Sequence, residues 1–145
     1  FPHEPSWPVK TVPIAVNVIQ HPLPTAMRCY KLGQAIRQAV EACEDDLRVV
    51  TFGTGGMSHQ LNGTRFGHLN TKFDNDFLDK IESDPLALTK LTHQEIMEEA
   101  GAEAVELIMW LTMRGALSDD LTRVHRNYYA PMTTGMGLIA LEENA

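Results

Sequence analysis

Residues 92–115 read THQEIMEEAGAEAVELIMWLTMRG, and this stretch decides much of the fold. Thr92 and Glu95 have the capping-box spacing that begins a helix, and Gly115 is a typical residue at a helix end. The second half of the stretch is apolar almost all round, which is typical of a buried helix. We therefore predict one long helix over 92–114, with its second half in the core.

Glu106 is the only polar side chain in the run AVELIMWL (104–111). An ionised carboxylate in such a run must be desolvated, which is costly unless a cation or hydrogen-bond donors compensate. Two forms of compensation stay open at this point. One is an ion pair, for example with Arg114 or Arg126, and the other is coordination of a metal ion.

Upstream of this stretch, the pattern predicts a strand, a helix and a second strand. Residues 11–19 (TVPIAVNVI) and 47–52 are apolar and β-branched, as in strands, and apolar residues recur at helical spacing over 25–43. This order forms a βαβ unit, which is usually parallel and right-handed. With a last strand predicted at 137–141, the expected class is α/β, a sheet that contains a βαβ unit and is flanked by helices.

A glycine-rich turn, GTGGMSH (53–59), follows the second predicted strand. Glycines permit positive φ and close approach to a ligand, and sites in open α/β sheets lie beyond the carboxyl ends of strands. His59 therefore suits a proton shuttle or a metal ligand, and a turn histidine bonded to a carbonyl is the structural alternative. The turn lacks the Lys-Ser/Thr of a P-loop, and Ser58 lacks the flanking glycines of a nucleophile elbow.

The totals indicate one domain of 145 residues with a net charge of −7. Such a charge argues against nucleic acid or an anionic membrane surface as a partner. No stretch reaches the ~18 apolar residues of a membrane span. Cys29 and Cys43 would lie roughly 21 Å apart on the predicted helix, too far for a disulfide. We therefore expect a reducing, cytoplasmic location.

The chain begins at Phe1, and its first methionine is Met27, inside a predicted helix. We therefore expect that further residues precede Phe1 in the natural polypeptide. Residues 1–8 are punctuated by prolines and predict an extended segment.

Four segments resemble one enzyme family: HPLPTAMRCYKLGQAIR (21–37), GTGGMSHQL (53–61), THQEIMEEAGAEAVELIMWLTMRGAL (92–117) and VHRNYY (124–129). They are similar to the class III extradiol dioxygenases, the group of the protocatechuate 4,5-dioxygenase β subunit and gallate dioxygenase. The resemblance covers most of the chain. It implies an enzyme that opens the ring of a catecholic acid, such as protocatechuate or gallate, using Fe(II) and O₂ as co-substrate.

The resemblance also implies roles for particular residues. Iron in the family is held by two histidines and one carboxylate; the carboxylate matches Glu106, and the family's acid/base histidine matches His59. The two iron-binding histidines lie in an N-terminal half to which none of the six histidines here corresponds. We therefore expect this chain to be the C-terminal half of a catalytic domain about twice as long. A small helical α-type subunit or domain and homo-oligomerisation are the implied partners.

Other residues and functions stay open. Thr133 and Thr134, in the loop before the last predicted strand, are expected from their position to offer hydroxyls to the substrate. A structural or solvated role is expected for the remaining histidines, His3, His21, His68, His93 and His125, with a place in the wall of a pocket as the alternative for His125. The alternatives to ring cleavage are a non-catalytic α/β module that binds a partner through its apolar face, and zinc-dependent hydrolysis on a related scaffold.

Overall fold

Residues 9–144 are the part of the chain that this computed structural model describes, and they contain five α-helices, one 3-10 helix and one β-hairpin joined by irregular segments. The helices are α1 (Ala26–Glu41), α2 (Thr71–Ser83), α3 (Pro85–Leu88), α4 (His93–Ala100), the 3-10 helix (Ala102–Leu107) and α5 (Ile108–Gly115). The hairpin consists of β1 (Leu121–Tyr129) and β2 (Met136–Glu143). The extended segment predicted for 1–8, which includes His3, lies outside the described residues.

Two glycines bring α1 and α5 into backbone contact. A Cβ on Gly33 would lie 2.2 Å from the carbonyl oxygen of Thr112, and one on Gly115 would lie 2.1 Å from that of Tyr30. No side chain fits at either position, so the two helices pack as closely as their backbones allow. The core lies around this crossing and includes Cys29, Tyr30, Phe77, Leu78, Ile81, Leu107, Ile108, Trp110 and Leu111.

The long helix predicted over 92–114 is interrupted at Gly101. The capping box of Thr92 and Glu95 is confirmed, but α4 ends at Ala100 and Gly101 has φ +102°. A glycine adopts this conformation readily, and here it admits the carbonyl of His59, which would lie 2.1 Å from a Cβ on Gly101. The prediction of one continuous helix is therefore wrong. A lone glycine costs a helix only about 1 kcal/mol and would not break it by itself, so we attribute the break to the contact with His59.

The parallel βαβ unit is not formed by residues 9–144. Its helix is present as α1, which Thr25 caps, but 11–19 and 47–52 are not strands, and the one sheet within the described residues is the antiparallel hairpin. A strand exists only where a second backbone lies alongside to complete the hydrogen-bond ladder. No described segment does so for these two. Their apolar side chains are largely exposed, with Val12 at 87% and Phe52 at 84%.

The hairpin confirms the mixed α/β class and extends the predicted last strand. β1 and β2 pair from Leu121 opposite Glu143 to Tyr129 opposite Met136, with a bulge between Arg123 and His125. The segment VHRNYY, which we did not predict to be a strand, forms most of β1.

Two further expectations concern the cysteines and membrane-spanning segments. Cys29 is buried, Cys43 is exposed, and both are free. Across residues 9–144, no helix is long and apolar enough to span a bilayer.

Candidate functional site

The glycine turn 53–59 lies directly on the 3-10 helix and the start of α5. A Cβ on Gly55, which has φ +124°, would lie 2.7 Å from the Cβ of Glu106, and one on Gly53 would lie 2.8 Å from the Cα of Trp110. The close approach predicted for these glycines is therefore to a helix backbone. Its effect is to bring the turn and Glu106 together.

Glu106 is half-buried, and one of its oxygens accepts a backbone hydrogen bond. Oε2 lies 2.9 Å from the amide nitrogen of Gly56, and Oε1 has no hydrogen-bond partner among residues 9–144. Of the two alternatives left open, the ion pair is not formed with either arginine named for it, because Arg114 pairs with Asp119 and Arg126 pairs with Asp79. A backbone donor compensates one side of the carboxylate, and the other oxygen keeps its capacity to bind a cation.

His59 is buried and its ring is oriented by a backbone carbonyl. Nδ1 lies 2.8 Å from the carbonyl oxygen of Met57. Because a carbonyl only accepts hydrogen bonds, we assign the proton of the neutral imidazole to Nδ1, which leaves Nε2 as an acceptor. The main chain is also fixed, since the amide of His59 donates to the carbonyl of Ala100 at 2.8 Å. The structural alternative for His59, a turn histidine bonded to a carbonyl, therefore describes Nδ1. It leaves Nε2 able to take up a proton.

Gly56 lies between the two predicted site residues. Its amide donates to Glu106, and a Cβ on it would lie 2.9 Å from Cε1 of His59 and 3.3 Å from Cγ2 of Thr134. Thr134 also forms an isolated antiparallel bridge with His59. The structure therefore gathers three of the four predicted site residues around one glycine. Thr133 lies to one side, near Gly67.

Asp74, a residue that we did not predict to belong to the site, is fully buried beneath the turn. Its Oδ1 accepts from the amide of Ser58 at 2.8 Å, and its Oδ2 accepts from Oγ of Ser58 at 2.6 Å and from the hydroxyl of Tyr128 at 2.7 Å. Burial raises the pKa of the Tyr128 phenol, and the hydrogen bond to Asp74 raises it further, so this hydroxyl stays protonated as a donor.

A signal for Asp74 was present in the sequence. Phe77, Leu78 and Ile81 follow it at spacings of three, four and seven residues, so Asp74 occupies an apolar position of an amphipathic helix. All three are buried. An acid on the apolar stripe of α2 indicates a buried carboxylate in the same way as the acid in the run 104–111.

The other described histidines lie apart from this cluster. His68 and His93 each place Nε2 2.9 Å from a backbone carbonyl, of Glu99 and Pro24 respectively, which agrees with the structural role expected for them. His21 and His125 are exposed. Over residues 9–144, no three side chains of His, Cys, Asp or Glu are grouped so that they could hold a metal ion. The described residues therefore fit one carboxylate ligand, Glu106, and do not form a complete metal centre.

Comparison with known proteins identifies the class. Residues 1–139 match the family described as the catalytic LigB subunit of aromatic ring-opening dioxygenase. The chain therefore belongs to this family, which confirms the resemblance inferred from its motifs.

Two curated relatives are similar to the chain. Gallate dioxygenase of Pseudomonas putida (strain KT2440) is 48% identical over 142 residues, which are 98% of this chain and 42% of that protein. The 2,3-dihydroxyphenylpropionate/2,3-dihydroxicinnamic acid 1,2-dioxygenase of Photorhabdus laumondii is 43% identical over 49 residues, 34% of this chain and 15% of that protein. The chain thus spans less than half the length of the curated relatives it matches.

Proposed function

We propose that this chain carries part of the active site of a non-haem Fe(II)-dependent extradiol dioxygenase that opens the ring of a catecholic acid such as gallate or protocatechuate. The observation that supports this most is the placement of Glu106 and His59 on either side of Gly56, in a chain of the aromatic ring-opening dioxygenase family. A carboxylate and an imidazole are the two kinds of group that such a site needs beside each other.

Glu106 is the proposed iron ligand of this chain. Its oxygen Oε2 is held by the amide of Gly56, so the carboxylate is fixed in orientation before a metal binds. Oε1 has no partner among the described residues and is the oxygen that we assign to the metal. Carboxylate and imidazole ligands in a facial triad suit Fe(II). When bound, the iron would supply the binding and activation of the catechol and of O₂.

His59 is the proposed acid/base residue. With Nδ1 donating to the carbonyl of Met57, Nε2 accepts a proton from a catechol hydroxyl and returns it later in the reaction. The ring is buried, which limits exchange of that proton with solvent. The turn supports this role by orienting the ring so that Nε2 is left without the proton.

Thr134 and Thr133 are the proposed substrate contacts. Thr134 is the better placed of the two, because it is bridged to His59 and lies against Gly56. A hydroxyl at this position can hydrogen-bond to an oxygen of the substrate. Thr133, near Gly67, would contact a more distant part of the same molecule.

The whole protein is proposed to supply the groups that this chain lacks. Two histidines outside this chain complete the iron site, so the chain is the C-terminal half of a larger catalytic domain. We also propose that the protein assembles with a small helical α-type subunit or domain, forms a homo-oligomer and is cytoplasmic.

The second candidate function is a non-catalytic module that binds a partner through its apolar face. The exposed apolar segments 11–19 and 47–52 favour it.

Oxygen uptake by the complete Fe(II)-loaded protein, with gallate and with protocatechuate, tests the proposal. We expect uptake of one O₂ for each ring opened. We also expect His59→Ala to reduce turnover by about 10²–10⁴-fold while iron stays bound. If neither acid is opened, the non-catalytic module is favoured instead. Zinc-dependent hydrolysis would indicate the alternative reaction on a related scaffold.

A further inference from the structure

Asp74 is a buried carboxylate that no cation among residues 9–144 neutralises. It is 0% exposed, and none of the ion pairs of residues 9–144 includes it. Three short hydrogen bonds, two from Ser58 and one from Tyr128, stabilise it. An apolar side chain of similar volume would fill such a position with no desolvation cost. The charge therefore calls for an explanation beyond packing.

Two of the three hydrogen bonds of Asp74 come from the residue that precedes His59. Ser58 lies between Met57, whose carbonyl orients the imidazole, and His59 itself. Asp74 holds both the amide and the hydroxyl of Ser58. The carbonyl of Ser58 accepts from the amide of Gly135 at 2.8 Å, so the backbone beside His59 is fixed on both sides.

The same carboxylate connects three separate parts of the chain. Asp74 lies in the first turn of α2, Ser58 lies in the glycine turn, and Tyr128 lies on β1. Gly135, just before β2, packs against the carboxylate, since a Cβ on it would lie 2.3 Å from Oδ2 of Asp74. These parts meet beside His59 and Thr134, so the carboxylate sets how they meet.

We propose that Asp74 is a positioning residue for His59. Asp74 holds Ser58 and Tyr128 in place, and the carbonyl of Met57 can then orient the imidazole through Nδ1. The effect on turnover rests on the acid/base role proposed for His59. The effect on the orientation of the ring does not depend on that role.

Asp74→Asn is the informative substitution because it keeps the shape of the side chain. Its amide oxygen still accepts from the amide of Ser58, but its NH₂ group faces two hydroxyl groups that both donate in the wild type. Oγ of Ser58 already accepts from the amide of Asn70 at 2.8 Å. Because an NH₂ group cannot accept a hydrogen bond, both hydroxyls lose the bond that they donate to Asp74, and we expect Ser58 to shift.

The test uses the complete Fe(II)-loaded enzyme, with Asp74→Asn, His59→Ala, the double variant, and Asp76→Asn as the matched control. Asp76 lies on the same helix and pairs with Lys72 at the surface. We expect Asp74→Asn to reduce kcat by about 10²-fold, the cost of a misplacement of about 1 Å, with KM and iron content unchanged. In the His59→Ala background it should cause no further fall, and Asp76→Asn should leave kcat unchanged.

A second measurement reads the ring directly. Nitrogen-15 NMR of the imidazole should report one tautomer, protonated at Nδ1, in the wild type and a mixture of tautomers in Asp74→Asn. If Asp74→Asn does not fold, Tyr128→Phe, which removes one donor from the carboxylate, should shift both readouts in the same direction by less.

Two results would overturn the proposal. One is a fall in kcat of equal size with and without His59, and the other is an unchanged tautomer with only a lower melting temperature. If His59→Ala itself leaves turnover unchanged, the acid/base role fails, and the NMR comparison alone still decides what Asp74 does to the ring.

Discussion

Glu106 and Trp110, one helical turn apart, hold the two sides of the same peptide unit. Glu106 accepts the amide hydrogen of Gly56 at 2.9 Å, and Nε1 of Trp110 donates to the carbonyl of Gly55 at 3.1 Å. The peptide between these glycines is therefore fixed by a side chain at each end. The carboxylate is in turn fixed by the turn that contains His59, so the positions of the two proposed site residues depend on each other.

Trp110→Phe tests this coupling. The ring of Trp110 packs edge-on against Phe77, with centroids 6.1 Å apart, and phenylalanine keeps much of that contact while removing the donor. The unsatisfied carbonyl of Gly55 should reduce the free energy of unfolding by about 1–3 kcal/mol and weaken iron binding. Chemical denaturation and iron titration measure the two effects. A lower stability with unchanged iron affinity would show that the peptide does not control Glu106.

Gly101→Ala tests the contact between His59 and the break in the helix. A Cβ there would lie 2.1 Å from the carbonyl oxygen of His59, so the substitution should destabilise the protein by more than the ~1–3 kcal/mol that a sparsely populated backbone conformation costs. Gly63→Ala is the control, because Gly63 also has positive φ but the nearest atom would be 3.8 Å from the new Cβ. Equal effects on the thermal midpoint would mean that only the backbone conformation matters.

Arg114 is a buried side chain that stabilises the fold through hydrogen bonds to backbone carbonyls. Its guanidinium donates to Ile81 and Ser118, and its partner Asp119 is almost fully exposed. Arg114→Met leaves two carbonyls without donors and should cost roughly 2–6 kcal/mol, at about 1–3 for each. Asp119→Asn should have little effect on urea denaturation, because the Asp119 carboxylate is almost fully solvated and its ion pair is therefore weak. A larger loss from Asp119→Asn than from Arg114→Met would contradict this account.

The exposed apolar side chains of 11–19 and 47–52 should make this chain self-associate when it is prepared alone. Val12, Ile19 and Phe52 are each more than 80% exposed, and apolar surface of this kind favours association. Val12→Thr with Ile19→Thr keeps the β-branched shape and should reduce the sedimentation coefficient at a given concentration. Val124→Thr is the control, because Val124 is also an exposed β-branched residue, at 61%, but lies outside both segments. A monomer with a cooperative melt would count against the prediction.

Signals that act over a few residues predicted their elements well. The capping box of Thr92 and Glu95 and the helix that follows Thr25 depend on contacts within one turn, and both are confirmed. The polar exception in the run 104–111 likewise pointed to Glu106, whose carboxylate accepts a hydrogen bond from a backbone amide, whereas the two arginines first considered for it pair with other acids.

Features set by distant contacts could not be predicted in the same way. The helix breaks at Gly101 because the carbonyl of His59, 42 positions earlier in the numbering, occupies the space of a Cβ. Tyr128 belongs to the site because it reaches Asp74, which is 54 residues away. Residues 11–19 have a strand pattern, but a strand also needs a neighbouring backbone, and a pattern cannot supply one.

Anaerobic titration of Fe(II) into the complete enzyme, with Glu106→Gln and His59→Ala side by side, tests the central claim most directly. Glutamine keeps an oxygen for the amide of Gly56 but lacks the charge, so this variant should remain folded and lose its iron. His59→Ala should bind iron as the wild type does. Full iron occupancy in a folded Glu106→Gln variant, or loss of iron in His59→Ala, would contradict the roles assigned to these two residues.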